Sequence, residues 1–237
     1  MTIKRFAAIV AAVAAAVMSG VLGGLLAFSY CAGLLPFGRE NIENLPPVHI
    51  TEKQITTIRE NEALKNAAAK VMGIAIGIKI TGSKNAISYG SGVVITSDGL
   101  AAVPYGLFPP GASAQITAGG KTAAFEVLKR DKATNLVILK LENGNWPTAG
   151  FCQMDNLKLG ERVFLAGISA TGGNFVNEGI VRDFTADSIN TNIYEKAEAL
   201  GAPAFDIEGN IMGISSVDKT GRVSVIPISK IKELSGL

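Results

Sequence analysis

Apolar and polar positions alternate along this chain in three regimes. From Phe6 to Phe28 there is no charged residue at all. A helix of that length, rising about 1.5 Å per residue, covers roughly 35 Å and matches a ~30 Å hydrocarbon core. From Thr51 the period becomes helical: Thr51 and Gln54 form a capping-box pair, and Leu64, Ala67, Ala68 and Val71 recur at i, i+3, i+4, i+7. Beyond Val71 the pattern breaks into short runs ended by glycine turns. The predicted strands are 73–80, 92–96, 100–103, 114–117, 122–128, 136–141, 162–167, 178–184, 188–193, 211–217 and 223–227, with a closing helical turn at 230–234. The Ser97-Asp98-Gly99 turn joins 92–96 to 100–103 as a hairpin. Many short strands at regular spacing predict an all-β sandwich or barrel.

This patterning divides the chain into a cytoplasmic tip and transmembrane anchor (1–28), an extended linker (29–50) containing Pro36, Pro46 and Pro47, and a β domain over 51–237. The Gly/Pro/Asn-rich stretch 142–161 separates two halves, about 71–145 and 158–230. Lys4 and Arg5 precede the apolar block, which predicts a single-pass membrane protein with its N-terminus in the cytoplasm and its C-terminal domain outside. A cleaved signal peptide is the competing reading; Ala27 and Ser29 stand at −3 and −1 of a weak site, but the apolar run exceeds the usual h-region. Ala12, Ala16, Gly20 and Gly24 recur every four residues, a small-residue face through which two copies can associate as a homo-oligomer.

Charge removes one class of partner. Lys plus Arg is 22 and Asp plus Glu is 20, so without Lys4 and Arg5 the balance is 20 against 20. A neutral outer domain does not supply the basic excess that nucleic acid requires. Cys31 and Cys152 form no C-x-x-C pair, and no ligand cluster predicts a metal or another cofactor. The one histidine, His49, lies in the linker. Gly90-Ser91-Gly92 reads as a strand-entry turn rather than a phosphate loop.

Five blocks in order carry a resemblance: G-S-G-V-V-I-T-S-D-G (90–99), D-K-A-T-N-L-V-I-L-K-L (131–141), D-N-L-K-L-G-E-R-V-F-L-A-G (155–167), N-E-G-I-V (177–181), and E-A-L-G-A-P with E-G-N-I-M-G-I (198–214). Together they resemble the trypsin-like domain of the HtrA/DegP serine proteases over about residues 61–235. The resemblance implies two six-stranded antiparallel β-barrels, preceded here by the transmembrane helix and a short amphipathic helix, with any site between the barrels. The family's PDZ module is not expected, since the last predicted strand nearly ends the chain.

The resemblance also implies where a triad would sit. The family's histidine closes the strand after the S-D-G turn, and here L-A-A-V-P-Y-G-L-F places Gly106 there. Its D-x-x-T-D-L aspartate becomes Asn135, and its G-N-S-G-G-P serine becomes Leu200. Serine proteolysis needs a hydroxyl, a base in reach of it, and a group that orients the base. None of the three residues supplies the first two. The sequence therefore predicts a catalytically inactive, degenerate member, with no catalytic residue, that binds or scaffolds peptides or other membrane and exported proteins. By the same resemblance, substrate backbone would add as a strand along Ser215, Ser216 and Val217. The alternative is an active serine endopeptidase with a misaligned or non-standard centre; Ser169, Ser188, Ser215, Ser216 and Cys152 are the candidate nucleophiles for it, and Asp131 reads as a turn residue.

Overall fold

A computed structural model describes residues 3–31, 62–82, 86–108, 111, 113–142 and 144–237. The linker prolines, His49 and the Thr51–Gln54 cap lie outside the described residues. Two units are compact, 1–52 and 53–237. In the first, helix α1 (Ile3–Cys31) is long and apolar enough over Val10–Cys31 to cross a membrane; a signal sequence has the same character.

In the second unit, residues 62–71 form helix α2. Its predicted stripe is the face that packs: Ala67 and Val71 are buried, and Leu64 and Ala68 lie against the same core. Val71 also rests on the Asp206–Gly209 turn, 3.3 Å from where a Cβ on Gly209 would stand.

The first sheet contains β1 (Ala75–Thr81), β2 (Ile87–Val94), β3 (Leu100–Pro104), β4 (Ser113–Ala118), β5 (Lys121–Ala123), β6 (Phe125–Asp131) and β7 (Leu136–Leu141). Their order is β5-β4-β1-β2-β3-β7-β6, antiparallel throughout. This corrects the expected first six-stranded barrel to a curled, open sheet of seven strands. The cause is local. The predicted strand 122–128 bends at Ala124, so β5 pairs with β4 at one edge and β6 with β7 at the other. The two edges are joined by one residue of chain rather than by a hydrogen-bonded ladder, and the Ala124 carbonyl accepts the Glu142 N–H at 2.9 Å. The predicted 92–103 hairpin is present, with Val93 opposite Ala102. Gly90-Ser91-Gly92 is not a turn at strand entry, as its glycines suggested; it lies inside β2.

The second half is the closed six-stranded barrel that was expected. It consists of β8 (Arg162–Ile168), β9 (Asn174–Phe184), β10 (Ile189–Tyr194), β11 (Pro203–Phe205), β12 (Ile211–Val217) and β13 (Arg222–Pro227), in the order β10-β13-β12-β11-β8-β9. Helix α3 (Ile228–Ser235) follows. The unbroken apolar run of β8 is explained by burial on both faces. Val163 and Leu165 point into the barrel core, while Phe164 and Ala166 belong to the core shared with the first sheet. Phe164 stacks on Phe205 there, with ring centroids 5.4 Å apart. The two sheets thus share one continuous apolar layer.

Candidate functional site

β3 ends at Pro104 in a 3-10 turn, Tyr105–Leu107. Gly106 sits on that turn, exposed, and a Cβ built on it meets nothing within 4 Å. The Tyr105 N–H donates to the Asn135 carbonyl at 2.9 Å, so Asn135 is held beside this turn. Asn135 has φ 56°, alone among the described non-glycine residues in being positive. Asparagine and aspartate tolerate that left-handed conformation better than other side chains. The turn leading to it is organised by Asp131, whose carboxylate accepts from the Thr134 hydroxyl (2.9 Å) and the Ala133 N–H (2.8 Å). These bonds, the Thr134 hydroxyl first, hold the carboxyl below its usual range.

The Leu200 loop approaches from the barrel. The Ser91 N–H of β2 donates to the Leu200 carbonyl at 2.8 Å. Gly201 has φ 83°, and a Cβ there would stand 2.0 Å from the Ser91 carbonyl oxygen and 2.6 Å from Pro104 Cδ. Pro104 thereby links the loop to the turn carrying Gly106, and the Tyr105–Asn135 bond adds the third position. Main-chain contacts thus connect the segments that carry positions 106, 135 and 200. The Leu200 side chain is half-buried and packs against the shared core.

The main chain just before Leu200 is turned inward. Ala197–Ala199 form a 3-10 turn; the Ala199 N–H donates to the Lys196 carbonyl (2.9 Å) and the Leu200 N–H to the Ala197 carbonyl (3.1 Å). A hole for a developing oxyanion requires backbone donors aimed outward at the reacting carbonyl. Here the donor at the Leu200 position is already bonded internally. Nothing in the sequence flagged this, since E-A-L-G-A-P names side chains and not the direction of a peptide group.

Across the loop, the Gly201 N–H donates to the Ser215 carbonyl (2.9 Å) and the Ser215 N–H to the Ala202 carbonyl (2.8 Å). Ser215 is buried, and its hydroxyl donates to the Ala199 carbonyl. Ser216 lies opposite Ser224 and Val217 opposite Val223 on β13. Main-chain groups in a strand alternate in direction, so Ser216 faces β13 while Val217 faces the same side as Ser215. β11 begins only at Pro203, and the alternation turns the Val217 N–H and carbonyl away from β13.

Of the alternative nucleophiles, Ser215 lies against the Leu200 loop with its hydroxyl bonded to the Ala199 carbonyl. The Ser169 hydroxyl pairs with Thr171 at 2.9 Å on an exposed turn. Cys152 lies near Asp206 and Glu161; burial first, then these carboxylates, push its thiol up to about 11, the opposite of an activated cysteine. Among the described residues no group of His, Cys, Asp and Glu side chains is arranged to hold a metal.

Ser91 fixes the geometry of this half of the cleft. It is fully buried; its Oγ accepts the Ile168 N–H (3.1 Å) and donates to the Ile168 carbonyl (3.4 Å), tying β2 to β8. Ser91→Ala leaves that N–H without a partner and is expected to destabilise the domain by about 2 kcal/mol. Urea unfolding followed by tryptophan fluorescence measures this.

The model of the trypsin-like peptidase domain matches residues 90–214. That is 125 of 237 residues, more than half of the chain, and it includes all three cleft positions. The chain belongs to the trypsin-like peptidase domain family. Two curated relatives are similar to it. One is the "Anti-sigma-I factor RsgI9" of Acetivibrio thermocellus, 32% identical over 167 residues, which are 65% of this chain and 23% of that protein. The other is the "Probable periplasmic serine endoprotease DegP-like" of Halomonas elongata, 26% identical over 138 residues, 54% of this chain and 29% of that protein. The trypsin-like chain thus spans about a quarter of the length of each relative.

Proposed function

We propose that this chain is a membrane-anchored, catalytically silent trypsin-like domain that binds extended segments of peptides or exported proteins outside the cytoplasm. What supports the reading is that the positions the family resemblance assigns to the triad hold Gly106, Asn135 and Leu200, and that the Leu200 N–H is satisfied by the Ala197 carbonyl. Side-chain chemistry and main-chain electrostatics are lost together. Strand addition needs neither, because it uses main-chain hydrogen bonds alone. Val217 supplies one donor and one acceptor for it. The likeness to a protein named as an anti-sigma factor favours regulation over degradation, with α1 as the anchor that joins the outer domain to the cytoplasmic side.

The test uses the full chain in detergent, treated with a fluorophosphonate probe and with an unfolded casein peptide. No serine in the outer domain is expected to be labelled and no casein fragments released, while the peptide is retained. Val217→Pro removes the donor without touching the β13 ladder and is expected to weaken retention about fivefold, the loss of one net hydrogen bond. A labelled serine or a defined set of cleavage products would instead assign the chain to the active endopeptidases.

A further inference from the structure

A cavity of about 410 Å³ opens on the first sheet at the end away from Asn135, within the usual size range of ligand pockets. β7 leads from Asn135 to Glu142, and its six residues put about 20 Å of strand between the two. The cavity follows from the bend at Ala124. β5 leaves with β4 and β6 with β7, so the sheet parts there, and the Glu142 N–H bridges the gap to the Ala124 carbonyl. Lys121 stands at the start of β5, opposite Ala118.

The lining joins three chemistries. Lys121 and Glu142 are its charged residues. Among the described residues neither side chain makes an ion pair or a hydrogen bond, so one ammonium and one carboxylate border the same space uncompensated. Trp146 and Pro147 supply an apolar wall. That wall is held firmly. The Trp146 main-chain N–H donates to the Ser97 carbonyl at 2.9 Å. The indole nitrogen is buried against two glycines: a Cβ would stand 3.1 Å from it on Gly99 and 1.9 Å from it on Gly144. The part of the ring left to line the cavity is therefore carbon. A simple anion in this space would meet the like charge of Glu142, and a simple cation that of Lys121. Two free charges of opposite sign beside a hydrocarbon surface instead complement a molecule that carries both charges and an apolar group.

We infer that this cavity is a binding site for a small zwitterion, a free α-amino acid with an apolar side chain. Its carboxylate meets Lys121, its ammonium meets Glu142, and its side chain rests on the Trp146–Pro147 wall. The site is independent of whether the cleft is inert.

Trp146 is the chain's one tryptophan, so its emission reports on the cavity directly. The full chain in detergent micelles is titrated with L-leucine, with leucinamide, which keeps only the ammonium, and with N-acetyl-leucine, which keeps only the carboxylate. Leucine is expected to change the emission saturably and to bind about tenfold more tightly than either analogue, as one charge-assisted hydrogen bond provides. Lys121→Gln should abolish the preference over leucinamide, and Glu142→Gln the preference over N-acetyl-leucine. Both residues are exposed, so the variants should fold as the wild type does. Lys121→Arg should preserve most of the preference, and rising salt should narrow it. Absence of saturable leucine binding, by emission and by titration calorimetry alike, overturns the site. Preferences that survive both glutamine variants overturn its charge partners. Alanine binding as tightly as leucine overturns the apolar wall as a contact.

Discussion

Gly201→Ala is expected to be the most damaging single methyl group that can be added to this domain's cleft. Two terms act together. The residue has φ 83°, where an alanine is strained by roughly 1–2 kcal/mol. Its Cβ would also stand 2.0 Å from the Ser91 carbonyl oxygen and 2.6 Å from Pro104, both on rigid strands. Neither neighbour is the far end of a flexible side chain, so β2 and β3 must move away from the loop. That movement breaks the Ser91–Leu200 bond and loosens the Ser91–Ile168 bonds beside it. A loss of about 4 kcal/mol follows, which for a domain of this size lowers the melting temperature by roughly 8–16 °C. Scanning calorimetry on the full chain gives the answer. Gly106→Ala is the matched control: no atom lies within 4 Å of its added carbon, and its melting temperature should move by less than about 2 °C. Equal shifts in the two variants would mean that the loop is not wedged against the first sheet.

The contrast between these two glycines also shows what the residues alone could convey. Both stood out in the sequence, one as a missing histidine and the other as part of a nucleophile-loop frame. The strand order around Gly106, Asn135 and Leu200 was legible because motif order in this family carries the topology with it. The strands were legible for a different reason: runs such as L-V-I-L-K-L and R-V-F-L-A-G are apolar enough to specify burial on both faces. What escaped notice was short or directional. β11, three residues long, has no period to detect. The bend at Ala124 depends on which edges β5 and β6 find, a tertiary choice that T-A-A-F-E-V-L does not encode locally. The inward Leu200 N–H is a property of peptide orientation, which the side chains of E-A-L-G-A-P do not spell out.

Installing a triad separates the two ways in which the proposed silence of the cleft would arise. In the triple variant Gly106→His, Asn135→Asp, Leu200→Ser, each side chain has a physical place to go. The histidine enters open space, the aspartate inherits a left-handed position that suits it as well as asparagine, and the serine replaces a half-buried leucine. Under the proposed function the wild-type chain is not labelled by a fluorophosphonate, so labelling of the variant would be new. The triple variant is expected to react, but slowly. Its serine N–H remains bonded to Ala197, and one missing oxyanion donor costs about 10²–10³ in rate. Adding Glu198→Gly should recover much of that factor. Glycine frees the peptide group before the nucleophile to turn outward, and losing the carboxylate releases the tether to Ala170. Labelling of both variants should rise with pH through the range where an imidazole near its ordinary pKa of about 6.5 loses its proton, because only the neutral ring accepts the serine proton. If the triple variant reacts as fast as the quadruple one, the inward N–H is no barrier and lost side chains alone explain a silent cleft. If neither reacts, the three positions do not converge as a triad must, and placing the active-site frame on Gly106, Asn135 and Leu200 is wrong.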